Sequence, residues 1–395
     1  MGKVIAHIDL NAFFANAEVL RNPSLKDKPL VIGHRGRGGI VSTCSYKARE
    51  YGIHSGMPTF QADKLCKNLI VVEPDFSYYK MMSNSFFAIV KEYVKDIEVA
   101  SIDECYADFS EAIVNVKDPI AYFQHFQNDL YKRTGLTASI GIAPTKWLAK
   151  MASDLKKPMG LTIIRKKDIP SILYGLPIES FWGIGKKSSP KLRELGINTI
   201  GDFAEKAKVD DPILMRFLGK FFFTAKEWVL GGGENTLDLE PWDPKSIGNS
   251  STLSHDCSEF YEIEGTLKML CMEVASRMKE AHKVGNTLTL TVKDTEGSFH
   301  LHSRADSFPS PTDSFDAIYA LAERLYKDNF DGVMEIRLVG VALSRLEDKT
   351  RRDVQMSFWN YQEFEEMDKT RLFINEMNRH FDKDVLIRAS EAKKK

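Results

Sequence analysis

Apolar and polar positions along this chain follow two periods, one close to two residues and one close to 3.6. VIAHIDL carries β-branched and apolar residues at strand density and ends near Asp9, and NAFFANAEVLRN follows with helical spacing from about Asn11. PLVIG predicts a second short strand, HRGRGG a loop, and IVSTCSYKAREYGIHSGMP a passage from strand to helix near Ser45. DFSYYKMMSNSFFAIVKEYV predicts a helix, the residues around SIDECY a strand pair, DPIAYFQHFQNDLYKRTG another helix and TASIGIA another strand. This alternation describes an α+β layer.

From about residue 166 the pattern breaks into short helices punctuated by Gly and Pro, which predicts a small separate helical unit, and GGGENTLDLEPWDPKSIG reads as a linker. Beyond it, 257–283 and 312–329 predict helices, NTLTLTVKD and SFHLHSRAD a hairpin, and MEIRLVGVALSRL a further strand. That is a second α+β domain. From Glu347 onward the chain is charged and polar around one aromatic knot, QMSFWNY, and no internal repeat is present.

A length of 395 residues with 43% hydrophobic and 28% charged content allows several packed domains. No run approaches the roughly 20 apolar residues that span a bilayer, and MGKVIAHIDL lacks the length and cleavage site of a signal peptide, so the expected location is the cytoplasm. The five cysteines are scattered and never form a Cys-x-x-Cys pair, which argues against a disulfide framework or a zinc site. The net charge of -1 excludes a chain that coats polyanions indiscriminately while leaving local basic surfaces open.

Candidate chemistry centres on Asp103 and Glu104, adjacent acids in an otherwise apolar strand-like run. Neighbouring side chains of a strand point to opposite faces, so these two can share a target only where the backbone turns, as at a hairpin tip. A tip beside the end of the Asp9 strand would gather three carboxylates, a costly cluster unless cations neutralise it, and oxygen donors suit Mg²⁺ or Mn²⁺. Two such ions about 4 Å apart form the clamp of phosphoryl and nucleotidyl transfer. The plainer alternative is an exposed hairpin turn.

HIDLNAFFANAE, STCSYKAREYGIHSGMP, SIDECYADFS, TASIGIAPTKWLAKMASDLKKPMG and FWGIGKKSSPKLRELGI, in this order over about residues 1–345, resemble the Y-family translesion DNA polymerases. These are related to bacterial DNA polymerase IV and the catalytic subunit of polymerase V, and the roughly 35 residues after QMSFW, EFEEMDKTRLFINEMNRHF and then DVLIRAS, are similar to the extension of the polymerase V and UV-damage branch. The resemblance implies a right-hand, multidomain α+β fold. Its parts would be a ferredoxin-like palm (1–10 and 74–165), small fingers (11–73), a helical thumb with a helix-hairpin-helix (166–231), a linker (232–245), a little finger (246–346) and a C-terminal tail (347–395). It further implies that Asp9, Asp103 and Glu104 hold two Mg²⁺ ions with the Leu10 carbonyl, and that Asn11 stands where many relatives carry a second Asp. Phe14 falls on the steric-gate position against the sugar C2′, the alternative for that residue being a core Phe.

Tyr46 and Arg49 stand three apart on one helical face with Thr43 just before the helix, a polyphosphate-binding combination of amide dipoles, phenol and guanidinium. A solvated helix face is the bland alternative. By the resemblance Lys157, rather than Lys156, adds a cation, and Ser42 and Gly56 line the nascent base pair with an open roof. An open roof weakens discrimination that depends on steric closure.

For DNA, the resemblance assigns Gly183, Gly185 and Lys186 to a phosphate-binding helix-hairpin-helix, and residues 161–200 carry seven Lys/Arg against three acids. Residues 245–345 carry eleven Lys/Arg against fifteen acids. The acids concentrate in the expected helices, and the strands carry Arg304, Arg337, two histidines and many hydroxyls. The sheet is therefore expected to face DNA, gripping phosphate by hydroxyls and amides as much as by charge. Gln355, Met356, Phe358 and Trp359 are similar to a peptide that binds the bacterial sliding clamp, the alternative being packing on their own domain. The whole reads as a monomeric DNA-directed DNA polymerase acting on primer-template DNA and deoxynucleoside triphosphates. A palm-type nucleotide cyclase and a non-catalytic clamp- and DNA-binding adaptor are the rival readings.

Overall fold

The computed structural model describes residues 2–295 and 300–349, and within it the chain divides into two compact units, the first running to Trp242 and the second beginning at Asp243. The first unit opens with β1 (Ile5–Leu10), α1 (Phe13–Arg21), β2 (Leu30–Gly33), β3 (Val41–Cys44), α2 (Tyr46–Arg49), α3 (Thr59–Leu65) and β4 (Ile70–Val72). It continues through α4 (Phe76–Tyr93), β5 (Ile97–Val99), β6 (Glu104–Asp108), α5 (Pro119–Thr134), β7 (Ala138–Ala143), α6 (Lys146–Leu155) and β8 (Leu161–Ile163). Five short helices complete it: α7 (Ile169–Ile172), α8 (Ser189–Glu194), α9 (Ile200–Lys208), α10 (Pro212–Leu218) and α11 (Lys220–Val229).

A central sheet of order β5-β6-β1-β7-β8 separates two cores. Alternation along β1 sorts Ala6, Ile8 and Leu10 to one side, where they meet Phe86, Ile89 and Val90 of α4 and Phe123, Phe126 and Leu130 of α5. Its other face is covered by α6, whose Trp147, Leu148 and Met151 join Ile5 and Tyr106 in a core that continues into the short helices. Polar caps define the long helices at their starts, Asp75 for α4, Asp118 followed by Pro119 for α5 and Thr145 for α6. A small sheet of order β3-β2-β4 carries its own core, built on Val31, Val41 and Cys44.

The start of α1 lies two residues later than the sequence suggests. Ala12 takes a left-handed conformation with φ 42°, and the Asn11 side chain is committed elsewhere, donating to Ser139 Oγ and accepting the Met159 amide, both at 2.8 Å. Asn11 is thereby a buried tie between β1, β7 and the segment after α6.

The second unit contains β9 (Ser246–Cys257), α12 (Phe260–Glu280), β10 (Lys283–Asp294), β11 (Leu301–Thr312), α13 (Phe315–Asn329) and β12 (Ile336–Asp348). Its sheet order is β11-β10-β12-β9, antiparallel throughout, with α12 and α13 over one face. The linker-like stretch that reads on to Gly248 runs into β9, whose Ser246 already pairs with Ser344. β9 escapes a pattern reading since its Ser, Gly and Asn content has low strand propensity and its partner strand alone imposes the extended form. Pro309 and Pro311 sit on β11, an edge strand, where a missing amide breaks no inner ladder. All five cysteines are buried and outside any disulfide, and among the described residues no helix is long and apolar enough to cross a membrane.

Candidate active site

The register of β1 against β6 sets Asp9 directly opposite Glu104 and His7 opposite Tyr106. Residues opposed across an antiparallel pair point to the same side, as do residues two apart on one strand. His7, Asp9, Glu104 and Tyr106 therefore project towards α6, away from the aliphatic core around Ala6 and Ile8. Asp103 precedes β6 in the turn, where its carbonyl accepts the Leu10 amide at 2.9 Å. One acid thus faces α6 while its neighbour lines a cavity of about 300 Å³ that also exposes Asp9, Leu10 and Phe14.

α6 supplies the counter-charge. Lys150 Nζ lies 2.8 Å from Glu104 Oε2 and 3.2 Å from Asp9 Oδ2, and Lys157 Nζ lies 3.0 Å from Asp9 Oδ2 and 2.8 Å from Asp154. Burial works against both ammonium groups, but the surrounding acids outweigh it and hold both pKa values up. The His7 ring is buried, with Nδ1 2.8 Å from Ser153 Oγ and Nε2 3.2 Å from Glu104 Oε2, close but without the alignment of a hydrogen bond. Burial lowers the His7 pKa, which favours the neutral ring beside Glu104. His7 first and Lys150 second hold the Glu104 pKa down at about 2.

Asp103 is different. Its carboxylate accepts from Ser101 Oγ at 2.6 Å, no ion pair reaches it among the described residues, and burial, reinforced by Asp9 and Glu104, raises its pKa. The expected gathering of three acids is accordingly modified: the tight cluster is His7, Asp9 and Glu104, with donor atoms within 4.8 Å of one another, and Asp103 flanks Asp9 from the cavity side. Strand alternation between residues 103 and 104 is the cause. This donor set fits divalent metal: carboxylate oxygens suit a hard cation, the corner already accommodates two ammonium charges, and an added cation would relieve the uncompensated Asp103.

Ser45 builds the opposite wall. Its hydroxyl caps α2 by accepting the Ala48 amide at 3.2 Å and donates to the Lys28 carbonyl at 3.0 Å. The helix so pinned turns Tyr46 and Arg49 into the cavity beside Ser42, Thr43, Ser55 and Lys157. The Arg49 guanidinium stacks over the Tyr46 ring at 4.6 Å. Tyr46 Oη is buried with no aligned partner, Asn11 standing near it, and burial raises its pKa so that it stays a phenol able to donate to an incoming oxygen. Lys156 is exposed, whereas Lys157 is half-buried and lines the cavity. Gly56 does not line the cavity; its φ of 83° and its amide bond to Val41 shape the turn that presents Ser55 there.

Both rings line the cavity, but Phe13 is 2% exposed and belongs to the core, whereas Phe14 is partly exposed. The Phe14 ring stacks on Tyr79 at 4.4 Å and 13°, with Phe76 edge-on to both.

Among the expected DNA contacts, Gly183 has φ 107°, and a Cβ there would come within 2.6 Å of Phe221. Glycine is needed at that turn. Gly185 and Lys186 follow on an exposed loop before α8. In the second unit the register places Thr287, Thr289, Thr291 and Lys293 of β10 on the face away from the helices, flanked by Ser303 and Ser307 of β11. Arg304 pairs with core-facing Leu290 and so lies on the helix side, its guanidinium bonded to Asn329 and set over the Phe330 ring. The expectation that Arg304 joins the open sheet face is corrected by that alternation. Arg337 stands where the register of β12 shifts, so strand alternation alone assigns it no face. Gln355, Met356, Phe358 and Trp359 lie outside the described residues.

Comparison with known proteins agrees with this geometry. Residues 8–154 match the impB/mucB/samB family, 244–358 its C-terminal domain and 166–197 the IMS family HHH motif. DNA polymerase IV of Bacillus velezensis is 34% identical over 400 residues, covering 100% of this chain and 94% of the relative. DNA polymerase IV 1 of Bacillus subtilis is 34% identical over 395 residues, covering 99% and 94%. The alignment to the first runs through the C-terminal extension, whose presence therefore does not set this chain apart from polymerase IV. Among solved structures, a Y-family DNA polymerase chimera, Dbh-Dpo4(243-245)-Dbh, superposes with a TM-score of 0.75 at 26% identity, covering 87% of this chain and 98% of the chimera. Sheet register, cavity and relatives converge: the chain belongs to the impB/mucB/samB family and is a Y-family DNA polymerase.

Proposed function

We propose that this chain carries out template-directed, error-prone translesion synthesis by two-metal nucleotidyl transfer, with Asp9, Asp103, Glu104 and the Leu10 carbonyl holding two Mg²⁺ ions that Mn²⁺ can replace. The observation that carries the reading is the convergence, on one cavity, of the Asp9 strand end and the Asp103 turn with Tyr46, Arg49 and Lys157. When bound, the ions would supply the positive charge that eases ionisation of the primer 3′-hydroxyl and steadies the departing pyrophosphate. Arg49 and Lys157 would orient the triphosphate by charge, Tyr46 and Thr43 by hydrogen bonds, and Phe14 would occupy the space a 2′-hydroxyl needs. Ser42, with Gly56 shaping the turn behind the wall, leaves the cover over the nascent pair thin, which favours acceptance of irregular templates at the expense of fidelity.

The central sheet and α4–α6 would be the palm, the β2–β4 sheet with α2 and α3 the fingers, α7–α11 the thumb and the second unit the little finger. Gly183, Gly185 and Lys186 would meet the DNA backbone through amides and charge, with Arg337 and the open hydroxyl face of β10 doing so in the little finger. The chain is expected to act as a cytoplasmic monomer, recruited to the bacterial sliding clamp by Gln355, Met356, Phe358 and Trp359.

Primer extension on a defined template tests this reading against both rivals. Native protein should add templated deoxynucleotides and release pyrophosphate, and Asp103→Ala should not. Equal extension by the two would favour the adaptor reading, and a cyclic nucleotide product would favour the cyclase.

A further inference from the structure

The wall behind Phe14 is locked by a buried carboxylate. Glu18 is one helical turn along α1 from Phe14 and is 3% exposed, a costly position for an acid without partners. It accepts the Tyr79 hydroxyl at 2.8 Å and the Arg21 guanidinium at 2.8 and 2.9 Å, and Arg21 continues to Asp75, the cap of α4, at 2.8 Å. Tyr79 is fully buried, and its ring is the surface against which Phe14 stacks. α1 and α4 are therefore joined at this point by one continuous contact: carboxylate to phenol, phenol ring to phenyl ring, phenyl ring to cavity.

We propose that Glu18 is a positioning residue for sugar selection, holding Tyr79 through its hydroxyl so that Phe14 cannot sink away from the incoming sugar. The inference rests on the assignment of Phe14 as the residue that excludes a 2′-hydroxyl. A phenyl ring excludes a hydroxyl only while its backstop is rigid, because a ring free to retreat yields the room the extra oxygen needs. Tyr79 is held along its long axis at one end by Glu18, and Arg21 fixes the Glu18 carboxylate in turn.

The test is the ratio of kcat/KM for a deoxynucleotide to that for the matching ribonucleotide, with both measured on one preparation so that any unfolded fraction cancels. Tyr79→Phe, which keeps the ring and deletes the hydroxyl, and Glu18→Leu should each lower the ratio by about tenfold, the low end of what a methylene-sized misfit in a pocket is worth. Glu18→Gln, which keeps an acceptor oxygen for the phenol, should stay within about threefold of the native ratio. Phe14→Val is the reference arm and should lower the ratio furthest. A native ratio in both Tyr79→Phe and Glu18→Leu, with Phe14→Val relaxed, overturns the positioning role alone. A native ratio in Phe14→Val overturns the assignment of Phe14 and this inference with it.

Discussion

Lys150 and Glu104 stand 2.8 Å apart between α6 and β6, and the same ammonium group lies 3.2 Å from Asp9, so one lysine bridges two acids that face each other across the sheet. Opposed carboxylates repel, and this pair is largely out of solvent. Replacing Lys150 by Met should lower the stability of metal-free protein by about 2 kcal/mol, since it leaves two half-buried charges with a single remaining lysine. Urea denaturation with and without millimolar Mg²⁺ measures it; the deficit should shrink when the cation is present. A variant as stable as the native chain without Mg²⁺ would contradict the bridging role.

Arg49 faces the cavity with its guanidinium on Tyr46. Arg49→Ala should reduce kcat/KM for the incoming nucleotide by about 10- to 100-fold, the scale of a lost charge-assisted contact, with most of the change in KM. Steady-state single-nucleotide insertion measures it. Tyr46→Phe should cost less, since it removes one neutral donor.

Acid should loosen α9 through Asp202. This carboxylate accepts the Asn198 and Thr199 amides at 2.9 Å each, and those bonds hold its pKa below the usual 3.8. A folded value below the unfolded one means that the folded state binds fewer protons, so its contribution is complete above pH 3.8 and disappears as pH falls through the folded value. The site is partly exposed, so the advantage of native protein over Asp202→Asn should be only about 0.5 kcal/mol at pH 7. It should shrink as pH falls below 3.8 and through the folded value, as paired urea melts across that range would register.

Binding to primed DNA should respond weakly to salt. On the open face of the second unit's sheet the described residues of β10 are three threonines and Lys293, with serines beside them on β11. Hydroxyl and amide contacts release few counterions, so a plot of log affinity against log salt should have a slope well short of the roughly -9 that ten neutralised phosphates would give. Fluorescence anisotropy at graded salt measures the slope, and a value at or beyond that limit would refute the hydroxyl-face grip.

Much of the first unit can be read from pattern, because β1, β7, α4 and α5 announce themselves by period and caps. Lys150 was accessible too: it lies four residues before Asp154 and seven before Lys157, a stripe on the α6 side of the chain. His7 stands two residues before Asp9 and shares its face by the rule that assigns strand sides. Both are overlooked when attention stays on acids alone. Glu18 and Tyr79 are another matter, 61 residues apart with no local signal joining them, so only packing reveals the bond. β9 likewise owes its form to a neighbour, and Arg304 is misplaced without knowledge of the hairpin register.

Simultaneous loss of Phe358 and Trp359 to alanine should abolish stimulation by the host clamp while leaving unassisted extension on short primers within about twofold of native, since peptide anchors of this kind carry affinity rather than chemistry. Extension assays with and without clamp separate the two.

The parity of β1 has a further consequence. Its even positions are sealed in hydrocarbon and two of its three odd ones, His7 and Asp9, carry imidazole and charge, so inserting or deleting one residue would bury an acid in the aliphatic layer and strip the opposite face of its chemistry. Evolution can lengthen the loops of such an enzyme and vary what it copies, but this six-residue ribbon is closed to slippage, and a copier lenient towards damaged templates rests on a frame of reading that admits none of its own.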